Sequence, residues 1–244
     1  MSILTQNRGL KARLISHLRY ELGQVLEQDC LLCTASNARD ILCEACASEL
    51  ARLEEPRCPR CAIPTEHGEV CGRCLTSPPH FDATLAAYCY DFPLDKLVQS
   101  FKYGQRLALG VYFGQQLAAL GKRIVADLII PLPLHPERLR ARGFNQALEI
   151  ARPVGKALSL PIDATSCRRM RNTPAQTRLA WRDRAKNVRG AFHCSSDFTG
   201  RRVILVDDVM TTGASLDECA RTLKLHGAAE ITLLVVARAL PKPL

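Results

Sequence analysis

Aromatic residues are scarce in this chain of 244 residues, 5% in all with a single tryptophan. Sequence-tolerant grooves for single-stranded nucleic acid stack successive bases on interleaved aromatics, so strong binding of that kind is disfavoured. No apolar run approaches the roughly 18 residues that a transmembrane helix needs. The first stretch mixes apolar and charged residues (Arg13, His17, Arg19, Glu21), the wrong pattern for a secretory signal, and the cytoplasm is the expected compartment. Acidic residues are the minority, 24 against 33 Lys and Arg, for a net charge of +9. That surplus is local. From Leu134 to Arg189 stand 13 Lys and Arg against 4 Asp and Glu, and the remainder of the chain balances. The distribution favours one anionic ligand over a wholly basic surface, although single-stranded DNA or RNA could use the same stretch. A hydrophobic content of 47% with 23% charged residues describes a globular chain able to bury a substantial core.

The most informative stretch is RRVILVDDVMTTGAS, residues 201–215. Val203, Ile204, Leu205 and Val206 form a continuous apolar run that suits a parallel strand buried on both faces. The run ends in Asp207 and Asp208, where ligands of such sheets bind, beyond the carboxyl ends of the strands. After Val209 and Met210 come Thr211, Thr212, Gly213, Ala214 and Ser215, which offer hydroxyls, consecutive N–H groups and a helix N-terminus to a phosphate. Gly213 removes the Cβ that would keep the backbone from the anion. The carboxylates would repel phosphate, so they are expected to face ribose hydroxyls or hydroxyls shared with Mg²⁺. The plainer alternative is an ordinary strand-turn-helix with an acidic edge.

Eight of the twelve cysteines fall in four Cys-x-x-Cys pairs: Cys30/Cys33, Cys43/Cys46, Cys58/Cys61 and Cys71/Cys74. The last two pairs repeat the first two at an offset of 28 residues for every cysteine, an internal duplication. Two closed, structural Cys₄ zinc sites fit this pattern, whereas disulfides do not suit a cytosolic chain and redox pairs do not come in fours. Sequential pairing closes shorter loops than skipping a pair, which favours Cys30/Cys33/Cys43/Cys46 and Cys58/Cys61/Cys71/Cys74. Cys89, Cys167, Cys194 and Cys219 are isolated and read as small core residues.

Apolar spacing predicts an amphipathic helix over 10–27, a strand over 83–90, and helices over 94–103 and 106–120, with Gly121 at the C′ position. Strands are expected over 126–131 and 231–237, and Ser77-Pro78-Pro79 reads as a linker. Pro153 should kink or end the helix that follows Asn145. Lys102 is either a surface charge or a phosphate contact. Arg138, Arg140 and Arg142 at alternate positions suit a second anion, because guanidinium forks bind it bidentately. The stretch from Arg168 to Arg189 carries Arg168, Arg169, Arg171, Arg178, Arg182, Arg184 and Lys186 around one acid and Trp181, as a loop closing over a polyanion would.

The 201–215 stretch closely resembles the phosphoribosyl diphosphate (PRPP) signature of type I phosphoribosyltransferases. That resemblance implies ribose contacts at Asp207 and Asp208, and a 5′-phosphate loop at Thr211 through Ser215, within a PRPP-binding stretch from Val206. The whole order resembles the ComF family (ComFC/GntX-like): paired cysteines, Phe101-Lys102-Tyr103, IIPLPL at 129–134, RGFNQ at 142–146, NTPAQ at 172–176, Asn187-Val188 with Gly190-Ala191-Phe192, then the signature. The resemblance spans residues 28–238. It implies an α/β fold, a type I phosphoribosyltransferase-like parallel sheet flanked by helices, with a small N-terminal zinc-binding module. The expected divisions are an N-terminal helix at 1–27, a double zinc ribbon at 28–77 and a phosphoribosyltransferase-like domain at 81–244.

By the same resemblance a pyrophosphate loop lies at 134–143. Leu134, His135, Arg138, Arg142, Gly143, Asn145, Gln146 and Lys102 would serve it, and Arg171, Thr173, Gln176, Arg184 and Asn187 would belong to a flexible catalytic loop. The implied reaction is Mg²⁺-assisted displacement of pyrophosphate at the ribose C1, with Asp207, Asp208, Arg138 and Arg142 as its working residues. The acceptor stays open, and so do two other readings: a non-catalytic sensor of PRPP or nucleotides, and an adaptor for single-stranded DNA and a helicase-like partner. Family association with competence and DNA use keeps the last in view. The duplication predicts close to two zinc ions per chain by elemental analysis; one or none would break it.

Overall fold

A computed structural model describes residues 29–36, 40–172 and 188–241. The expected helix at 10–27 and Trp181 lie outside the described residues. The chain divides into two compact units, residues 1–49 and 50–244. Among the described residues no helix is long and apolar enough to cross a membrane.

The described residues of the first unit form a cysteine knuckle and a short helix, α1 (Glu44–Ser48), with Cys43 at its N-cap. Cys30 N–H donates to Ala35 O and Thr34 N–H to Cys30 O, through a left-handed Thr34. The second unit opens with the same construction. Cys58 N–H donates to Ile63 O and Ala62 N–H to Cys58 O, through a left-handed Ala62, and Cys71 caps α2 (Gly72–Thr76). Each of these bonds repeats its counterpart 28 residues on, so the duplication holds at the level of the backbone.

The body of the second unit is an all-parallel four-stranded sheet. It comprises β1 (Ala83–Cys89), β2 (Leu128–Pro131), β5 (Arg202–Met210) and β6 (Glu230–Arg238) in the order β1-β6-β5-β2. A small antiparallel pair, β3 (Cys167–Arg169) and β4 (Phe192–Cys194), stands beside it. Val203 to Val206 are at most 1% exposed, as a strand covered on both faces requires. The helices alternate with the strands: α3 (Leu94–Tyr103), α4 (Ala108–Gly121), α5 (Pro136–Arg142), α6 (Gln146–Leu158) and α7 (Ala214–Leu225). Three of them bury positions i, i+3, i+4 and i+7: Leu94, Leu97, Val98 and Phe101 in α3; Ala147, Ile150, Ala151 and Val154 in α6; Leu216, Cys219, Ala220 and Leu223 in α7. That is the apolar stripe of an amphipathic helix.

Alternate strand residues Val203, Leu205, Ile231, Leu233 and Val235 share one core with α7, and Cys58, Cys61, Ala62 and Cys74 belong to the same core. The second cysteine half is therefore built into the α/β body. Helices α4 and α6 pack against each other and against the sheet.

Several details differ from local expectation. The strand of the signature runs on through Asp207 and Asp208 to Met210, because β6 continues to pair with it as far as Met210↔Arg238. Pro153 does not stop α6, which spans Gln146–Leu158. Its ring instead fills the space left by Gly114 of α4, where an added Cβ would come within 2.1 Å of Pro153 Cγ. Gly121 is not a left-handed cap but the last residue of α4, and a Cβ there would lie 3.1 Å from Leu158 Cδ1. Part of the expected 134–143 loop is helical, since His135 and Pro136 start α5 and a left-handed Gly143 ends it.

Gly114→Ala is expected to cost on the order of 1–3 kcal/mol, the usual range for overpacking. Denaturant unfolding measures it, and an unchanged midpoint would show that α4 and α6 separate without resistance.

Candidate functional site

The parallel sheet carries the apolar run of β5 to the carboxyl edge and leaves Asp208 buried and Asp207 half-buried there. Past Met210 the chain turns at Thr211 and Thr212 and enters α7. Thr212 Oγ1 accepts the Ala214 N–H at 3.2 Å. Gly213 sits at the N-cap with φ +82°, and a Cβ on it would meet Met210 Cε at 2.8 Å. The left-handed conformation favours glycine, and any Cβ would have to displace the end of the Met210 side chain. The loop so formed presents the N-terminus of a three-turn helix, which favours an anion.

Facing the carboxylates is α3. Its Lys102 Nζ lies 3.0 Å from Asp208 Oδ2, with the two side chains 21% and 8% exposed. Burial works against the Lys102 ammonium, but Asp208 and then Asp207 outweigh it and hold its pKa above the ordinary lysine value.

On the third side are arginines. Arg142 Nη1 donates to Gln146 Oε1 at 3.0 Å and its guanidinium lies over the Tyr103 ring at 5.4 Å. Asn145 caps α6 through the Ala147 N–H and donates to Leu132 O. Arg169 is buried beside the Phe192 ring. Burial, and then neighbouring Arg142, holds the pKa of Arg138 below its ordinary value; burial, and then Arg138, does the same for Arg169. Crowded guanidiniums in a concave site favour a polyanion. Carboxylates, helix N-terminus and arginines all line one cavity of about 880 Å³.

Two further groups are made of sulfur. The four Sγ atoms of Cys30, Cys33, Cys43 and Cys46 lie within 4.8 Å of one another, and so do those of Cys58, Cys61, Cys71 and Cys74. Cys33 and Cys43 Sγ are 3.7 Å apart, Cys61 and Cys71 Sγ 3.6 Å. A tetrahedral ion with Zn–S bonds of about 2.3 Å separates its sulfurs by about 3.8 Å, so both donor sets fit structural zinc. The sets are the sequential ones.

Residues 22–75 match the family model described as "Double zinc ribbon domain", and residues 141–243 match "Phosphoribosyl transferase domain". The "DNA utilization protein YhgH" of Escherichia coli (strain K12) is 31% identical over 210 residues, 82% of this chain and 91% of that one. "Competence protein F" of Haemophilus influenzae is 32% identical over 213 residues, 83% of this chain and 92% of that one. The chain belongs to the ComF competence family. A solved purine phosphoribosyltransferase from Pyrococcus horikoshii Ot3 aligns at 18% identity over 55% of this ComF chain and 74% of its own, with a TM-score of 0.31.

In this ComF protein the cavity gathers Lys102, Leu134, Arg138, Arg142, Asn145 and Gln146 with residues 207–215. Val206, His135, Gly143 and Arg171 do not line it. Val206 is core, His135 Nδ1 accepts the Glu137 N–H as the cap of α5, and Arg171 donates to Arg189 O. Thr173, Gln176, Arg184 and Asn187 lie outside the described residues. Sequence reasoning set Lys102 beside a phosphate or in solvent; the structure sets it on the acidic pair. Arg169, read only as part of the basic run over a polyanion, lines the cavity, and so do Tyr90, Gln99 and Tyr103, to which no such role was given. Only Arg169 carried a local signal, its place in the basic run.

Burial and the adjacent Asp208 push the Asp207 pKa up to about 7, against the pull of Lys102. An acid whose pKa rises on folding holds its proton more tightly in the folded state. Ionisation above the ordinary 3.8 therefore favours the unfolded chain, a cost that grows up to the folded value of about 7 and then stays. Asp207→Asn is expected to raise Tm of the ligand-free protein at about pH 8 and to leave it nearly unchanged at about pH 4. Calorimetric scans at both pH values check this, and equal shifts would contradict it.

Proposed function

We propose that the cavity at the carboxyl edge of the sheet binds PRPP and transfers its phosphoribosyl group, releasing pyrophosphate. One observation carries the reading: an acidic pair, a phosphate-sized loop at a helix N-terminus and a cluster of arginines line the same 880 Å³ cavity. Each part suits a different portion of that ligand. The N–H groups and hydroxyls of Thr211 to Ser215 hold the 5′-phosphate. Asp207 and Asp208 accept hydrogen bonds from the ribose hydroxyls, with Lys102 paired to Asp208 at 3.0 Å. Arg138, Arg142 and Arg169 receive the diphosphate and stabilise the charge that builds on it as the C1–O bond breaks.

Fixing the sugar at both ends while the diphosphate is held removes much of the entropic barrier to displacement. Mg²⁺, carried in with the diphosphate, supplies positive charge to the departing oxygens, and Asp207 and Asp208 are hard oxygen donors of the kind it accepts. DNA is a proposed partner beyond PRPP, because the relatives' names speak of DNA utilization and competence; single strands and a helicase-like protein are proposed on the family resemblance alone.

A second reading, binding of PRPP without transfer, is favoured by the acids that line the cavity. Among the described residues the only carboxylates lining the cavity are the acidic pair itself.

Calorimetry with PRPP and Mg²⁺ is the test. Wild type is expected to bind at least about tenfold tighter than the Asp207→Ala/Asp208→Ala double variant, as loss of charge-assisted contacts would give. Equal affinity would sink both readings. Binding without pyrophosphate release, across an acceptor panel that includes bases, amines and single-stranded DNA, would select the sensor.

A further inference from the structure

The loop that would hold the 5′-phosphate is itself held from behind. Arg238 ends β6 and is 1% exposed, the largest fully buried side chain. Its Nε donates to the carbonyl of Cys61 at 2.8 Å. Its Nη1 donates to Met210 O at 2.9 Å, to Ala239 O at 2.7 Å and to Thr211 O. Arg73 stands between Cys71 and Cys74 in α2 and donates from Nη2 to Thr212 O at 3.0 Å. The carbonyls of three successive residues, Met210, Thr211 and Thr212, are thus taken by two guanidiniums, both anchored in the second cysteine group.

The geometry has an electrostatic consequence. In a trans peptide the C=O and N–H point in opposite directions. Turning the carbonyls of 210, 211 and 212 towards Arg238 and Arg73 turns the N–H groups of Thr211, Thr212 and Gly213 the other way, off the arginine side. A run of N–H groups so arranged is an anion nest. The Met210 carbonyl also accepts the Ala239 N–H at 3.0 Å and stays in place, but released Thr211 and Thr212 carbonyls would be free to rotate towards the anion and repel it. Two guanidiniums held behind the loop need a counter-charge. A Zn²⁺ ion with four thiolates carries a net charge of about −2 and supplies one beside them. The cysteine group is also held to the sheet, since Thr84 of β1 donates its N–H to Pro59 O at 3.1 Å.

We propose that the Cys58/Cys61/Cys71/Cys74 centre is the support of the phosphate loop, acting through Arg238 and Arg73 as positioning residues. Metal occupancy there and anion binding at Thr211–Ser215 are then linked, and by reciprocity the anion tightens binding of that metal. The inference rests on the anion-binding reading of the pocket for its ligand arm only. The Cys30/Cys33/Cys43/Cys46 centre lies in the other compact unit and serves as internal reference.

Two arms test it on the full-length, zinc-loaded chain. In the first, a chelator withdraws zinc while mass spectrometry of alkylated thiols reports which cysteines are freed, and amide exchange is followed at 211–215. Exchange there is expected to rise about tenfold when Cys58, Cys61, Cys71 and Cys74 are freed and to stay unchanged when the other four are. Unchanged exchange on freeing the second group overturns the proposal whether or not PRPP binds.

Should the chain unfold on losing that zinc, Arg238→Met and Arg73→Met decide with both metals in place. Faster exchange at 211–215 at full zinc content supports the proposal, and wild-type exchange overturns it. In the second arm, equilibrium competition with a chelator is expected to show zinc held about tenfold tighter at the second centre in saturating PRPP, with the first unaffected. Arg238→Met should abolish that protection while zinc content stays at two per chain. If calorimetry shows PRPP bound but the zinc affinity of both centres unchanged, the linkage is wrong; if calorimetry shows no PRPP binding, the function proposed above fails and the first arm still decides this one.

Discussion

Two adjacent carboxylates at the end of a fully buried strand are costly on their own, and much of the pocket is arranged around compensating them. A carboxylate taken out of water must be paired or give up its charge. Asp208 is paired with Lys102. Asp207 keeps a raised pKa because burial and its neighbour outweigh that same lysine. The arrangement fixes where α3 must stand and how its last turn must face. The acidic pair with Lys102, and the arginines Arg138, Arg142 and Arg169, line the same cavity. A ligand that carries both hydroxyls and phosphates matches that set.

The second cysteine group serves the same pocket from the opposite direction. Its members share a core with β5, β6 and α7, so it is not an appendage to the sheet but part of the packing beneath the loop. The duplication produced two nearly identical knuckles, down to the left-handed residues Thr34 and Ala62. Only the environment tells them apart. Cys58, Cys61 and Cys74 are buried, whereas in the first group Cys33 is exposed and Cys43 and Cys46 are half-buried. Identical local geometry, set into two different packings, is available for two different uses.

Much of this was legible in the chain. Apolar periodicity placed α3 at Leu94–Tyr103 and nearly placed β1, α4 and β6, because those segments bury one stripe or two faces. Local rules misled where a neighbour supplied the missing term. Pro153 would interrupt an isolated helix, but Gly114 opens a slot for its ring and α6 continues. Gly121 has the look of a cap, yet its lack of a side chain admits Leu158. The acidic pair was expected past the strand, and continued pairing with β6 keeps it inside.

The sequence by itself determined the parallel α/β body, the two sets of four thiols and the acidic pair with its loop. Each is a short-range pattern: a period, an offset of 28 residues, a run of consecutive residues. Tertiary structure alone decided which charges meet. Lys102 reaches Asp208, Arg169 turns into the cavity, and Arg238 joins Cys61 to the loop because the strand order β1-β6-β5-β2 brings their elements to one edge. A long flexible cation has no preferred partner at short range. Its partner is set by which backbone the sheet places beside it, and no local spacing encodes that.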